Sequence, residues 1–208
     1  CSKKSHPANP NQNNFADMVM SLDALHPSDE SLARRAVNGD RAAFEHIVLR
    51  YSPSLAEFAA ARTHTVQDAE DIVQETFLRA FLHLKDFNCR LALKPWLFTI
   101  AYRLIITGYR KKTPHLADDQ TLESCEGRSP RRDTTMDWVW ESAVQMGREF
   151  HTVLWLHYKE QMTTAEIARV MNKNQLTVRV LLHRARRRLA KRLADTASGQ
   201  AEAAHYWI

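Results

Sequence analysis

The sequence predicts an all-α protein of two small helical domains joined by a flexible linker. Three observations carry that expectation. Apolar residues recur at helical spacing through most of the chain, no strand-like alternation appears, and two basic helical blocks flank an acidic stretch that holds Pro114, Gly127 and Pro130. With 208 residues, 44% apolar and 25% charged, and 5 glycines, the composition is that of a folded, helix-rich molecule and not of a disordered one.

Taken in order, residues 1–27, rich in Asn, Pro, Lys and Ser up to about residue 14, are expected to form a disordered or partly helical tail. Phe15, Met18, Val19, Leu22 and Leu25 could line one face of a short helix there. Residues 28–112 are expected as the first domain. A helix over 31–38 ends at Gly39, and Asp40 caps a second in which Phe44, Ile47, Val48, Tyr51, Leu55, Phe58 and Ala59 keep a helical period. Pro53 is expected to bend that helix. Thr65 caps a third, whose buried side is Ala69, Ile72, Val73, Phe77, Ala80, Phe81 and Leu84. Residues 87–94 read as a loop, and Pro95 opens a fourth helix through Trp96, Leu97, Ile100, Ala101, Leu104 and Ile105.

Residues 113–135 are polar and aperiodic, as a linker would be. The second domain is expected over 136–195. Helices near 136–146 and 149–158 lead to Thr163 and Glu166, which have the spacing of a capping box. Behind that cap Ile167, Ala168 and Met171 share a face, and Asn172, Lys173 and Asn174 make a polar break. Then Val178, Leu181, Leu182, Ala185 and Leu189 repeat at helical spacing among arginines. Two short helices around a tight turn, the second one basic, have the sequence form of a DNA-binding helix-turn-helix. Residues 196–208 are expected as a tail.

Charge distribution supports a nucleic-acid partner. The formal net charge is +5, a modest excess, but it is concentrated. Lys85, Arg90, Lys94, Arg103, Arg110, Lys111 and Lys112 face only Asp86, and a second cationic block runs from Lys159 to Arg192. The first block also carries Phe87, Trp96, Phe98, Tyr102 and Tyr109, and single-stranded DNA is held by such mixtures of cations and rings. Trp96 reads as core and not as a stacking platform. Cys1, Cys89 and Cys125 are isolated, which suits a reducing compartment and no disulfide framework. No apolar run has the length of a membrane span and no signal peptide is evident, so a cytoplasmic protein is expected. Cys1 in place of an initiator Met reads as a processed or altered start.

Specific motifs sharpen this. The run Asp68-Ala69-Glu70-Asp71-Ile72-Val73-Gln74-Glu75-Thr76-Phe77-Leu78-Arg79-Ala80-Phe81, followed by Trp96-Leu97-Phe98-Thr99-Ile100-Ala101, resembles region 2 of extracytoplasmic-function sigma factors, and Gly39-Asp40 with Ala43-Phe44 fits the start of that region. Thr177-Val178-Arg179, then Leu182-His183-Arg184-Ala185-Arg186, is similar to region 4 of the same family. The resemblance implies an initiation factor whose partners are core RNA polymerase (beta-prime clamp helices and beta flap), promoter DNA and an anti-sigma factor, membrane-bound or not. By spacing alone Asp71, Gln74, Glu75 and Arg79 share one exposed helical stripe; by resemblance that stripe grips the polymerase. The resemblance places Lys85, Phe87, Asn88, Arg90, Tyr102, Arg103, Tyr109, Arg110 and Lys111 at the −10 strand, with a flipped base captured near residues 87–94.

The basic helix would enter the −35 major groove. Gln175, Arg179, His183 and Arg184 would reach base edges or nearby phosphates, and Lys173 and Arg186 would serve the backbone. Three departures from the family pattern stand out. Ala101-Tyr102-Arg103 with Thr107 replaces Ala-Arg-Asn and a following Asp, Val180-Leu181 stands where Ser-Arg is common, and Met146-Gly147 replaces Leu-Pro.

Two rival classes fit less of the chain. A stand-alone helix-turn-helix regulator with a sensing or dimerising bundle explains residues 163–193 but not the 68–81 motif. An enzyme would need a phosphate loop, an activated nucleophile or a ligand cluster; His64, Asp68, Glu70 and Asp71 do not make one, since Asp68 and Glu70 cannot share a helical face. No catalytic residue, metal, cofactor or small-molecule substrate is expected.

Overall fold

The computed structural model describes residues 27–89, 91–112 and 137–196. The stripe from Phe15 to Leu25, the expected linker and the C-terminal tail lie outside these residues. Among the described residues the chain is helical, with no strand. A first group holds α1 (Asp29–Val37), α2 (Arg41–Ala60), α3 (Val66–Leu82), a 3₁₀ turn (Leu84–Asp86) and α4 (Leu93–Lys112). A second holds α5 (Asp137–Val144), α6 (Arg148–Leu154) running into a π turn (Trp155–Lys159), α7 (Thr164–Val170) and α8 (Gln175–Thr196).

Side-chain caps fix where the helices begin. Ser28 accepts from the Ser31 amide at 3.2 Å, so α1 starts before residue 31, where spacing placed it. Asp29 holds this start by pairing with Arg50 at 2.6 Å and accepting from the Tyr51 hydroxyl. Gly39 takes φ 95°, which suits glycine, and Asp40 then accepts from the Ala43 amide at 3.2 Å. Thr65 does the same for the Asp68 amide at 3.0 Å. α2 runs through Pro53 without a break; the proline is exposed, where solvent reaches the carbonyl that loses its donor. Pro95 falls in the first turn of α4, where no intrahelical donor is missed. Phe81, expected inside, is 49% exposed and packs edge-on against Phe44 with ring centroids 5.2 Å apart.

One apolar core serves both groups. Leu32, Ile47, Leu55, Phe58, Phe98 and Ile105 from the first are continuous with Leu154, Leu156, Ile167, Val178 and Leu193 from the second. Between them lies a seam that spacing alone did not reveal. α4 packs against α7, and the end of α2 meets α6 and the π turn. Arg62, fully buried, is central to it. Its guanidinium lies 3.8 Å from the Phe58 ring centroid and 5.1 Å from that of Trp155. It donates to the Phe58 carbonyl at 2.7 Å and to Thr152 Oγ1 at 3.2 Å. These two hydrogen bonds and the two ring faces offset part of the cost of burying the cation.

Two ion pairs flank Arg62. Lys94 Nζ reaches Glu160 Oε2 at 2.8 Å and the Glu160 carbonyl at 2.9 Å, with Glu160 buried. Lys159 reaches Glu57 at 3.0 Å and lies 4.5 Å from the Trp155 ring centroid. The π turn helps to align them. The Glu160 amide bonds to the Trp155 carbonyl at 3.1 Å, five residues back, and this wider turn presents Trp155, Lys159 and Glu160 to the first group together.

Candidate functional site

The outer face of α3 carries the first candidate surface. Asp71, Gln74 and Arg79 are exposed and Glu75 half-buried, as expected of a single stripe. Gln67 donates to Asp71 at 3.2 Å and Arg79 pairs with Glu75 at 2.6 Å, so the stripe is pre-ordered along the helix. Spacing also places Leu78 and Leu82 on this face, and they are 53% and 66% exposed. Sequence reasoning missed them because leucine at helical spacing normally reads as core. A stripe that alternates charge and apolar surface is suited to docking on protein.

The expected −10 side chains separate into two sets. Lys85, Asn88 and Arg103 are exposed. Phe87 and Tyr102 are buried. The Phe87 ring packs on Trp96 at 4.6 Å between centroids, so that pair shares the core. Tyr102 lies on the seam side of α4; burial pushes its phenol above the ordinary range, and the Glu149 carboxylate of the second group adds to the shift. In this closed arrangement neither ring is open to a base. Arg90 lies outside the described residues, and Tyr109, Arg110 and Lys111 continue α4 towards its end.

The second group forms the helix-turn-helix. Thr163 and Glu166 make the reciprocal box: Glu166 Oε2 accepts from the Thr163 amide at 2.8 Å, and Thr163 Oγ1 accepts from the Glu166 amide at 3.3 Å. Asn172 turns the chain with φ 51°, a left-handed conformation that asparagine accepts more readily than most residues. Asn174 then caps α8 by accepting from the Thr177 amide at 2.9 Å. Val178, Leu182, Ala185, Leu189 and Leu193 bury one face of α8. The opposite face exposes Arg179, His183, Arg184 and Arg187.

Not every expected −35 side chain is open. Gln175 is exposed and donates to Thr164 Oγ1 at 3.0 Å. Lys173 pairs with Glu149 at 2.8 Å. Arg186 donates to the Tyr158 hydroxyl at 2.7 Å and meets His157 Nε2 at 3.2 Å. Those two cations therefore brace the module as well as facing solvent. Gly147, where the family pattern has proline, sits at φ 98° before α6, a value closed to a proline ring. Among the described residues no cluster of His, Cys, Asp and Glu could hold a metal ion, and no helix is long and apolar enough to cross a membrane.

A helical docking module with a mixed polar and apolar stripe, followed by a helix-turn-helix with an open cationic face, defines a DNA-binding protein that also engages a protein partner. Similarity makes the class specific. Residues 47–114 match Sigma-70 region 2 and residues 151–189 match Sigma-70 region 4. The chain is 29% identical over 177 residues to the ECF RNA polymerase sigma factor SigW of Bacillus subtilis, across 78% of this chain and 95% of that protein. It is 29% identical over 180 residues to the RNA polymerase sigma-H factor of Pseudomonas aeruginosa, across 79% and 93%. In fold it is similar to CnrH in its complex with the cytosolic domain of CnrY, with 25% identity, TM-score 0.58, and coverage of 82% of this chain and 99% of that one. The sigma factor RpoE of Bartonella quintana, solved with the anti-sigma factor NepR, shares the fold at 22% identity and TM-score 0.59, over 73% and 96%. The chain belongs to the extracytoplasmic-function sigma factors.

Proposed function

We propose that this chain acts in the cytoplasm as an alternative sigma factor: it binds core RNA polymerase, directs it to promoters with particular −35 and −10 elements, and opens the −10 strand. The observation that carries this reading is the order of two surfaces in one chain, the α3 docking stripe followed by the exposed basic face of α8. Residues 28–112 form the polymerase and −10 module, and residues 136–195 form the −35 module. Asp71, Gln74, Glu75 and Arg79, with Leu78 and Leu82 between them, engage the beta-prime clamp helices. Lys85, Asn88, Arg90, Arg103, Tyr109, Arg110 and Lys111 hold the −10 strand. Gln175, Arg179, His183 and Arg184 address the −35 groove, with Lys173 and Arg186 at the backbone and the beta flap beside them. Bond-making belongs to the polymerase.

Promoter engagement requires the seam to open. The −35 and −10 elements lie roughly 25 base pairs apart, about 85 Å at 3.4 Å per step. Modules that touch through Arg62, Lys94 and Glu160 cannot occupy both. The chain from 113 to 136 sets an upper bound of about 80 Å on the separation of α4 and α5, enough to allow the parting. Opening also uncovers Tyr102, which then joins the −10 face. An anti-sigma factor restrains the chain by covering these surfaces or by holding the seam shut.

Run-off transcription of fragmented host DNA with purified core polymerase tests the reading. New transcripts that share upstream −35 and −10 elements are expected only when the protein is added. Adding positive charge with Gln74→Lys and Glu75→Lys weakens polymerase binding in a folded variant, whereas Arg179→Ala lowers −35-dependent transcription more than polymerase binding. Unchanged polymerase affinity in the first variant, or equal losses in the second, would remove those assignments.

A further inference from the structure

The leading half of α8 carries two exposed apolar side chains that the contacts assigned so far leave unused. Leu176 is 67% exposed and Val180 50% exposed. Among the described residues they are the large apolar side chains that the second group leaves in solvent; the others lie on the first group. Single exposed apolar residues are ordinary on protein surfaces. These two differ in placement. They are one helical turn apart, opposite the buried Val178 and Leu182, and spacing puts Arg179, His183 and Arg184 on the same face. Leucine and valine at the centre of a cationic recognition face meet their complement in only one part of duplex DNA. The major groove offers one apolar group, the thymine C5 methyl.

We propose that Leu176 and Val180 are specificity-determining residues that pack on thymine methyls in the −35 major groove. The inference rests on the reading of α8 as the −35 helix. Charge complementarity supports it: the cations around the pair draw this face into the anionic groove and bring the apolar side chains against its floor. Geometry sets the spacing of the bases. Residues four apart rise about 6 Å along a helix, close to two base-pair steps of roughly 3.4 Å each. The two thymines therefore lie one or two base pairs apart, on the same strand or on opposite strands.

The test uses full-length protein in holoenzyme with core polymerase. Duplexes randomised across the −35 region are selected for binding, and each thymine of the selected element is then replaced by deoxyuridine, which lacks only the methyl. Expected are two positions at which deoxyuridine weakens binding, by roughly fourfold for each methyl buried. Leu176→Ala abolishes the penalty at one position and Val180→Ala at the other. Both residues are exposed, so both variants keep the wild-type circular dichroism melt. A selected element that tolerates deoxyuridine everywhere, one built of G·C pairs alone, or penalties identical in wild type and both variants would overturn methyl readout while leaving α8 as the −35 helix. No −35 preference, in a holoenzyme that does assemble, would overturn both.

Discussion

α4 and α8 are both long and basic, with 20 and 22 residues respectively, yet the closed molecule treats them in opposite ways. α8 buries one narrow stripe and offers its other face to solvent. α4 buries Leu93, Leu97, Phe98, Ala101, Tyr102 and Ile105 and is covered from a second side by α7. The difference lies in which face the partner module takes. On the proposed reading, the −35 helix is displayed in this conformation, whereas part of the −10 module is used as packing surface. The two modules would then meet promoter unequally before polymerase arrives, with the seam setting how unequally.

The largest effect on that inequality should come from Arg62. Arg62→Ala removes the cation between Phe58 and Trp155 and leaves Thr152 Oγ1 and the Phe58 carbonyl without it. A loss of about 3 kcal/mol is expected, measured by urea unfolding, with an increase in the radius of gyration in small-angle scattering as the modules part. A loss below about 1 kcal/mol with an unchanged radius would mean that the seam does not depend on Arg62.

Lys94→Ala comes next. It strands the buried Glu160 carboxylate, and because Lys94 itself is 32% exposed the cost is discounted to about 2 kcal/mol. Replacing both partners, Lys94→Met with Glu160→Met, recovers most of this. If opening limits promoter capture, the single variant binds promoter in holoenzyme at lower concentration than wild type even as it unfolds more easily. Tighter capture with lower stability is the signature that separates a latch from an ordinary core contact. Weaker capture in step with lower stability would make the seam merely structural.

These contrasts show what sequence can convey. Caps are local, and Asp40, Thr65, Thr163 and Asn174 act within three residues of themselves, so helix starts were legible or nearly so. The start of α1 is the exception: spacing placed it at residue 31, whereas Ser28 caps it three residues earlier. The polar stripe of α3 and the basic face of α8 were legible because helical periodicity puts neighbours on one face. The seam was not. Arg62 follows α2, whereas Trp155 and Glu160 lie on and beside the π turn, and nothing near Arg62 in the chain indicates that it will be buried against Trp155 and a threonine ninety residues on. The burial of Phe87 and Tyr102 in this arrangement was not legible for the same reason: an aromatic ring in a basic segment reads alike whether it awaits a base or a neighbouring helix.

A smaller effect isolates α7, the element that joins seam and turn. Thr163→Ala removes half of the capping box and should cost about 1 kcal/mol. Amide exchange at Ala165 and Glu166 should accelerate more than at Leu182, which belongs to the core of α8. Uniform acceleration across the module would mean that α7 and α8 open together and that the cap is not a local device.

The smallest effect contrasts a buried ion pair with an exposed one. Arg35 pairs with Asp40 at 2.7 Å on the surface; that hydrogen bond, followed by the Ala43 amide, holds the Asp40 carboxyl below its ordinary value of 3.8. A lowered carboxyl contributes stability above the unfolded value and loses it as pH falls through the folded one. Asp40→Asn keeps a capping oxygen but removes the charge, so it should be slightly less stable than wild type near pH 7, and the gap should close as pH falls below about 4. Salt separates the two pairs. At 1 M the screening length falls to about 3 Å, which shrinks the Asp40→Asn difference, while the Lys94→Ala difference persists because Glu160 is shielded from solvent by the seam itself. Equal attenuation of both by salt would place Glu160 in contact with solvent, and the seam would then be open for part of the time in the free protein.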